Sequence, residues 1–123
     1  GGKGASCLED VAFALITNAG EGRAKVFEAL DAALVGDFVS AKRLMADAEE
    51  CLNVAHRVMF KELVTQEARG TPVVLTCLLI HAMDILMVAL SERDIVERLI
   101  KAEYGRSAAS KQGEGVGISS NHS

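Results

Sequence analysis

The sequence predicts an all-α fold: an antiparallel three-helix bundle running up-down-up. Three observations carry this. Half of the 123 residues are hydrophobic, with alanine and leucine abundant, no tryptophan, one tyrosine and one proline. That composition suits packed helices better than a sheet. Apolar residues recur at steps of three and four along three long stretches. Between those stretches lie two clear breaks, at Gly36-Asp37 and at Arg69-Gly70-Thr71-Pro72. The length suffices for one domain around one core.

Residues 1–7, opening Gly1-Gly2-Lys3-Gly4, read as a flexible lead. The first helix is predicted from about Leu8 to Leu34. Its stripe is Leu8, Val11, Leu15, Ala19, Val26, Leu30 and Leu34. Gly20 and Gly22 fall in its middle, where glycine implies a bend or close packing. Gly36 ends this helix and Asp37 can cap the next.

The second helix is predicted from about Phe38 to Ala68. Phe38, Ala41, Met45, Ala48, Leu52, Ala55 and Met59 alternate steps of three and four, the mark of a left-handed seam. Lys42, Arg43, Asp47, Glu49 and Glu50 form its solvated face. Gly70 closes this helix, Thr71 can cap the third, and Pro72 fits a first helical position. The third helix is predicted from about Pro72 to Tyr104. Each helix then holds around 30 residues and measures about 45 Å. Short connections make consecutive helices antiparallel neighbours. Residues 105–123, rich in glycine and serine, are expected to be disordered. His122 lies there and receives no role.

Net charge is −4, which disfavours non-specific nucleic-acid binding. Cys7, Cys51 and Cys77 follow no zinc spacing, and each sits in an apolar helical pattern, as reduced buried thiols do. The odd count and the lack of a secretory signal predict a reducing, cytoplasmic setting. No phosphate-cradling loop of the P-loop kind is present.

Chemistry concentrates in Leu78-Leu79-Ile80-His81-Ala82-Met83-Asp84-Ile85-Leu86-Met87. Between Val73 and Leu90 the third helix is apolar nearly all round, and the central His81 and Asp84 argue against a membrane span. Two partner helices cannot cover such a surface, so self-association is expected. In the strip Cys77, Ile80, Asp84, Met87 the carboxylate is the odd member. On a symmetry axis its copies would converge and repel, and a divalent cation such as Mg²⁺ or Ca²⁺ would relieve that. A basic partner from a neighbour, or partial hydration, would serve equally. His81 can act as nucleophile, acid, base or ligand. It can also be a core histidine bonded to a carbonyl or to Asp84. His56, in Asn53-Val54-Ala55-His56, reads as structural. A transition-metal enzyme built on His56, His81 and Asp84 is disfavoured, because their positions form no recognised ligand motif.

The chain resembles the lactose/cellobiose-type IIA component of the bacterial sugar phosphotransferase system. The markers run in order: Asn18-Ala19-Gly20 with Arg23 and Glu28-Ala29-Leu30, then Gly36-Asp37-Phe38, Leu52-Asn53, Ala55-His56 and Glu67-Ala68-Arg69-Gly70. The most telling is Leu79-Ile80-His81-Ala82-Met83-Asp84-Ile85-Leu86-Met87. Together they cover roughly residues 8–104.

The resemblance implies a homotrimer of three-helix protomers. It implies that His81 carries a phosphoryl group taken from the histidine-containing carrier protein. The group then passes to a cysteine of a IIB component during sugar uptake. Asp84 would approach a metal ion, Mg²⁺, on the trimer axis. Two positions depart from the family pattern. Met83 stands where glutamine is usual and Ile85 where a second histidine is usual, and Arg57-Val58-Met59-Phe60 lacks the usual Gln-Thr pair. Those losses of polarity leave a second reading open, a non-catalytic regulatory or binding oligomer on the same scaffold.

Overall fold

A computed structural model describes the backbone of residues 2–121 and the side chains of residues 8–112. Helix α1 spans Gly2–Leu34 and α2 spans Phe38–Met59. A π-helical turn, Phe60–Val64, and a short helix α3, Thr65–Ala68, continue α2. Helix α4 spans Cys77–Asn121. No strand occurs among the described residues. Helix α1 is central and packs along both α2 and α4, whereas α2 and α4 meet over a much shorter stretch.

The expected stripes form the core. Val11, Leu15, Ala19 and Val26 of α1 are buried, as are Ala41, Ala48, Leu52 and Ala55 of α2. Leu8, Leu30, Met45 and Met59 pack against them in part, while Leu34 is exposed. Helix α4 contributes Leu79, Ala82, Leu86, Ala89 and Val96. Small residues dominate the buried faces, so the helices approach closely. Gly22 marks the tightest place: a Cβ there would stand 2.8 Å from Leu52 Cγ and 3.2 Å from the Ala48 carbonyl oxygen. Gly22 therefore serves close packing. Gly20, with no atom within 4 Å of a built Cβ, does not.

Both breaks are helix terminations of one kind. Gly36 adopts φ 85°, its amide donates to the Ala33 carbonyl, and the Asp37 amide reaches back to Ala32. Gly70 adopts φ 86°, its amide donates to Glu67, and the Thr71 amide reaches back to Gln66. A residue after the helix takes the left-handed conformation, and two orphan carbonyls are satisfied. Asp37 caps α2 as expected, its carboxylate accepting from the Ser40 amide at 3.1 Å.

Four boundaries or placements differ from expectation. Helix α4 starts at Cys77, and Thr76 rather than Thr71 caps it: the Thr76 hydroxyl accepts from the Leu79 amide at 3.1 Å. The β-branched run Val73-Val74 and the bond geometry at Pro72 favour extended backbone ahead of that cap. At its far end α4 runs past Tyr104 and through Gly105 to Asn121, into the stretch expected to be disordered. Gly105 has no positive φ and so makes no helix stop, and Arg106, Ala108, Ala109, Lys111 and Gln112 beyond it favour helix. Helix α1 likewise begins within the expected flexible lead, at Gly2. His122 lies outside the described residues. Finally, the π turn interrupts the second helix, with the Thr65 amide donating to the Phe60 carbonyl. From Ala55 to Met59 to Leu63 the apolar steps are four and four, longer than an α turn, and the wider turn keeps Leu63 on the buried face.

Polar contacts tie the helices at the surface. The Arg23 guanidinium of α1 meets the Glu92 carboxylate of α4 at 2.9 Å, and lies over the Phe27 ring. Arg93 of α4 approaches Glu49 of α2 at 3.7 Å. At the far end the rings of Phe38 and Tyr104 meet edge to face. No helix is long and apolar enough to cross a membrane among the described residues.

Candidate functional site

The site rests on the rotation of α4. Leu79, Ala82, Leu86 and Ala89 fix one face against α1 and α2. At 100° per residue, the opposite face then carries Cys77, Ile80, His81, Asp84, Met87, Val88 and Ile95, and all seven are exposed. Ile80 is 45 %, Met87 57 % and Val88 51 % exposed, large values for aliphatic side chains in the middle of a helix. The surplus apolar surface expected from the sequence is thus real within one chain. Asp84 lies near the centre of this face, and His81 at its border on the α1 side.

His81 and Asp84 are not buried groups in need of an internal partner. Among the described residues neither has an ion pair or a side-chain hydrogen bond within its own chain. The satisfied core histidine is therefore set aside. His81 presents an unencumbered imidazole to solvent, one turn into a capped helix. The Thr76 cap is the positioning element that pattern reading missed. Its signal was present: a threonine three residues before the first buried leucine of the helix.

Met83 and Ile85 are part-buried and pack against the core. They point to the flanks of α4 and not to the centre of its exposed face. His56 sits on the outer side of α2, stacked on Phe60 with ring centroids 5.6 Å apart. A shallow surface hollow there is lined by Glu49, Glu50, Asn53, His56 and Arg57. It does not include His81.

The cysteines differ from the buried thiols expected. Cys77 is exposed and Cys51 only part-buried, while the side chain of Cys7 lies outside the described residues. Cys77 falls at the first position of α4 on the face that no partner helix covers. Burial first, and then the charge of Glu21, push the Cys51 thiol up, which disfavours its thiolate. No group of three metal-binding side chains gathers within one chain among the described residues. A cation at Asp84 would need carboxylates from more than one copy.

The family model for the lactose/cellobiose-specific IIA subunit of the phosphotransferase system matches residues 10–103. The chain belongs to that family. The lactose-specific EIIA component of Staphylococcus epidermidis is 36 % identical over 89 residues, covering 72 % of this chain and 85 % of that protein. The crystal structure of the cellobiose-specific enzyme IIA from Bacillus anthracis superposes with a TM-score of 0.78 at 36 % identity, covering 82 % of this chain and 92 % of that one. The chitobiose IIA from Escherichia coli, solved in complex with HPr, gives a TM-score of 0.70 at 33 % identity, over 81 % of this chain and 96 % of that one. The family match begins in the third turn of α1 and stops near Tyr104, before the C-terminal part of α4.

Proposed function

We propose that this IIA-family chain is a phosphocarrier in a phosphoenolpyruvate-dependent sugar uptake relay. His81 accepts a phosphoryl group from the histidine-containing carrier protein and passes it to a cysteine of a IIB component. One observation carries the reading: the chain's central histidine stands exposed and unpaired on the uncovered face of α4. The similarity to a IIA solved with HPr supports the choice of donor.

The chemistry asks little covalent help of the protein. A lone pair of one His81 ring nitrogen, taken to be Nε2, attacks phosphorus. The donor's nitrogen–phosphorus bond breaks, and its electron pair returns to the donor imidazole. In the second step a thiolate of the IIB component attacks phosphorus, and the pair returns to His81. Both steps need in-line approach and charge stabilisation more than acid–base work. Exposure on a rigid helix gives two partners, in turn, access to one nitrogen. Neither sugar nor nucleotide touches this chain.

The chain acts as a homotrimer in this reading. The apolar face of α4 carries too much exposed aliphatic surface for a free monomer, and a threefold arrangement would bury it. Asp84 copies would then converge near the axis. Their hard oxygens suit Mg²⁺, which when bound would neutralise the carboxylates. The second reading, a silent scaffold, draws on the apolar Met83 and Ile85. Because both pack against the core, their character is accounted for by packing.

The test is phosphorylation of the purified chain with phosphoenolpyruvate, the general relay enzyme and the carrier protein, followed by intact mass. One acid-labile phosphoryl group per chain is expected, lost in His81→Ala with assembly unchanged. Uptake by that variant would remove His81 as acceptor. No uptake by the unaltered chain, with competent upstream proteins, would favour the silent scaffold.

A further inference from the structure

We propose that Thr76 is a positioning residue for phosphoryl transfer: its side chain keeps the first turn of α4 closed, and that closed turn holds the His81 imidazole in line for attack. This role rests on His81 as the acceptor and goes beyond it by naming what fixes the ring.

Thr76 holds this turn twice. Its hydroxyl accepts from the Leu79 amide at 3.1 Å, and its carbonyl accepts from the Ile80 amide at 3.0 Å. No other side chain bonds the backbone of this turn among the described residues. His81 is the fifth residue of α4, so its amide makes the next helical bond, to the Cys77 carbonyl. Within one chain the segment ahead of the turn is poorly anchored. Thr71 and Pro72 are exposed, Val73 is only part-buried, and Val74 and Leu75 are 65 % and 59 % exposed. In the turn itself Cys77 is exposed, Leu78 is part-buried, and Leu79 alone is buried.

A helix end held this lightly opens at a free-energy cost near zero once its cap is gone. A side-chain cap shifts that balance toward the closed turn about fivefold to tenfold. When the turn opens, the Ile80 and His81 amides lose their acceptors. His81 then keeps only the helical bond of its carbonyl, to the Ile85 amide. In-line transfer tolerates little such freedom, because a displacement of about 1 Å can cost about a hundredfold in rate. The open state therefore contributes almost nothing, and the rate follows the closed fraction. Thr76 touches no reacting atom and acts through His81. Partner affinity is set by the surface around His81, so the effect falls on kcat and not on KM.

The test uses the full chain and two variants. Thr76→Val keeps the branched shape and removes the acceptor, whereas Thr76→Ser keeps the acceptor. Phosphoryl uptake is measured at rising concentrations of the phosphorylated carrier protein. Amide exchange of Ile80 and His81 is followed by nuclear magnetic resonance, and assembly by sedimentation velocity. Thr76→Val is expected to lower kcat about threefold to tenfold at unchanged KM and unchanged assembly, with faster exchange of both amides. Thr76→Ser is expected to stay within about twofold of the unaltered chain on every measure. Full kcat in Thr76→Val, a loss confined to KM, or an equal loss in Thr76→Ser would each overturn the role. So would a kcat loss without faster exchange, or one that tracks a change in assembly. No uptake by the unaltered chain would remove the relay and this role with it. Uptake on His81 that ignores Thr76 would remove the role alone.

Discussion

Two glycines, two residues apart on α1, are expected to respond to the same substitution with opposite signs. Gly20 is exposed and a Cβ there meets no atom within 4 Å. Gly20→Ala removes the entropic cost of a mid-helix glycine, so it should stabilise the fold by about 0.5–1 kcal/mol. Gly22 gains the same propensity term but loses more. Its new Cβ would lie 2.8 Å from Leu52 Cγ and 2.9 Å from Leu52 Cδ2, with the Ala48 carbonyl at 3.2 Å. Leu52 is fully buried and cannot swing into solvent, and the carbonyl is fixed backbone of α2. Forcing a methyl into such a contact costs about 1–3 kcal/mol. Gly22→Ala should therefore destabilise by up to about 2 kcal/mol after the propensity gain. Urea unfolding followed by circular dichroism gives both values. It must be run at two protein concentrations, because any assembly raises apparent stability by mass action. Gly22→Ala stabilising as much as Gly20→Ala, at both concentrations, would show that α1 and α2 do not meet at the close distance described.

Further outcomes follow from the exposed face of α4 and from the caps. Met87→Lys places a charge on the uncovered apolar strip and should yield a folded monomer by sedimentation; an unchanged assembly would place the interface elsewhere. If the proposed Mg²⁺ site at Asp84 holds, assembly of the unaltered chain should loosen on adding chelator, and Asp84→Asn should remove that response; equal sensitivity would exclude Asp84 as the ligand. Hydrogen bonds from Ser40, side chain first and amide second, hold the Asp37 carboxyl below its ordinary range. The folded value is depressed, so this cap's stabilisation is complete above the unfolded carboxylate pKa near about 4 and is lost as pH falls through the folded value. Asp37→Asn should remove that contribution to the acid limb of the stability profile, read by thermal melts across pH 2 to 6.

Much of this protein was legible in its sequence because its determinants are local. A stripe at steps of three and four requires a helix with one buried face, and most residues of those stripes line or border the core, Leu34 at the end of α1 being exposed. Gly36 and Gly70 take positive φ because a helix stop needs it, and a motif of that kind can be read from a few residues. The chemistry-bearing pair, His81 and Asp84, was also evident as two polar residues within an apolar run.

What the sequence could not decide depended on where α4 faces. Periodicity gives the angle between His81 and Asp84 but not which way that sector points, because a helix apolar nearly all round has no unique buried side. Packing of Leu79, Ala82 and Leu86 against α1 and α2 set the rotation, and it turned the histidine, the aspartate and Cys77 together to the surface. The start of α4 likewise depended on competition between a Thr-Pro signal and a later threonine, settled by the extended backbone of the β-branched run between them. The π turn arose from two successive four-residue steps that only the fixed position of Leu63 in the core made binding. The sequence by itself determined the helices and the residues able to react; tertiary packing decided which of those residues meet solvent, because burial is a property of neighbours and not of the chain alone.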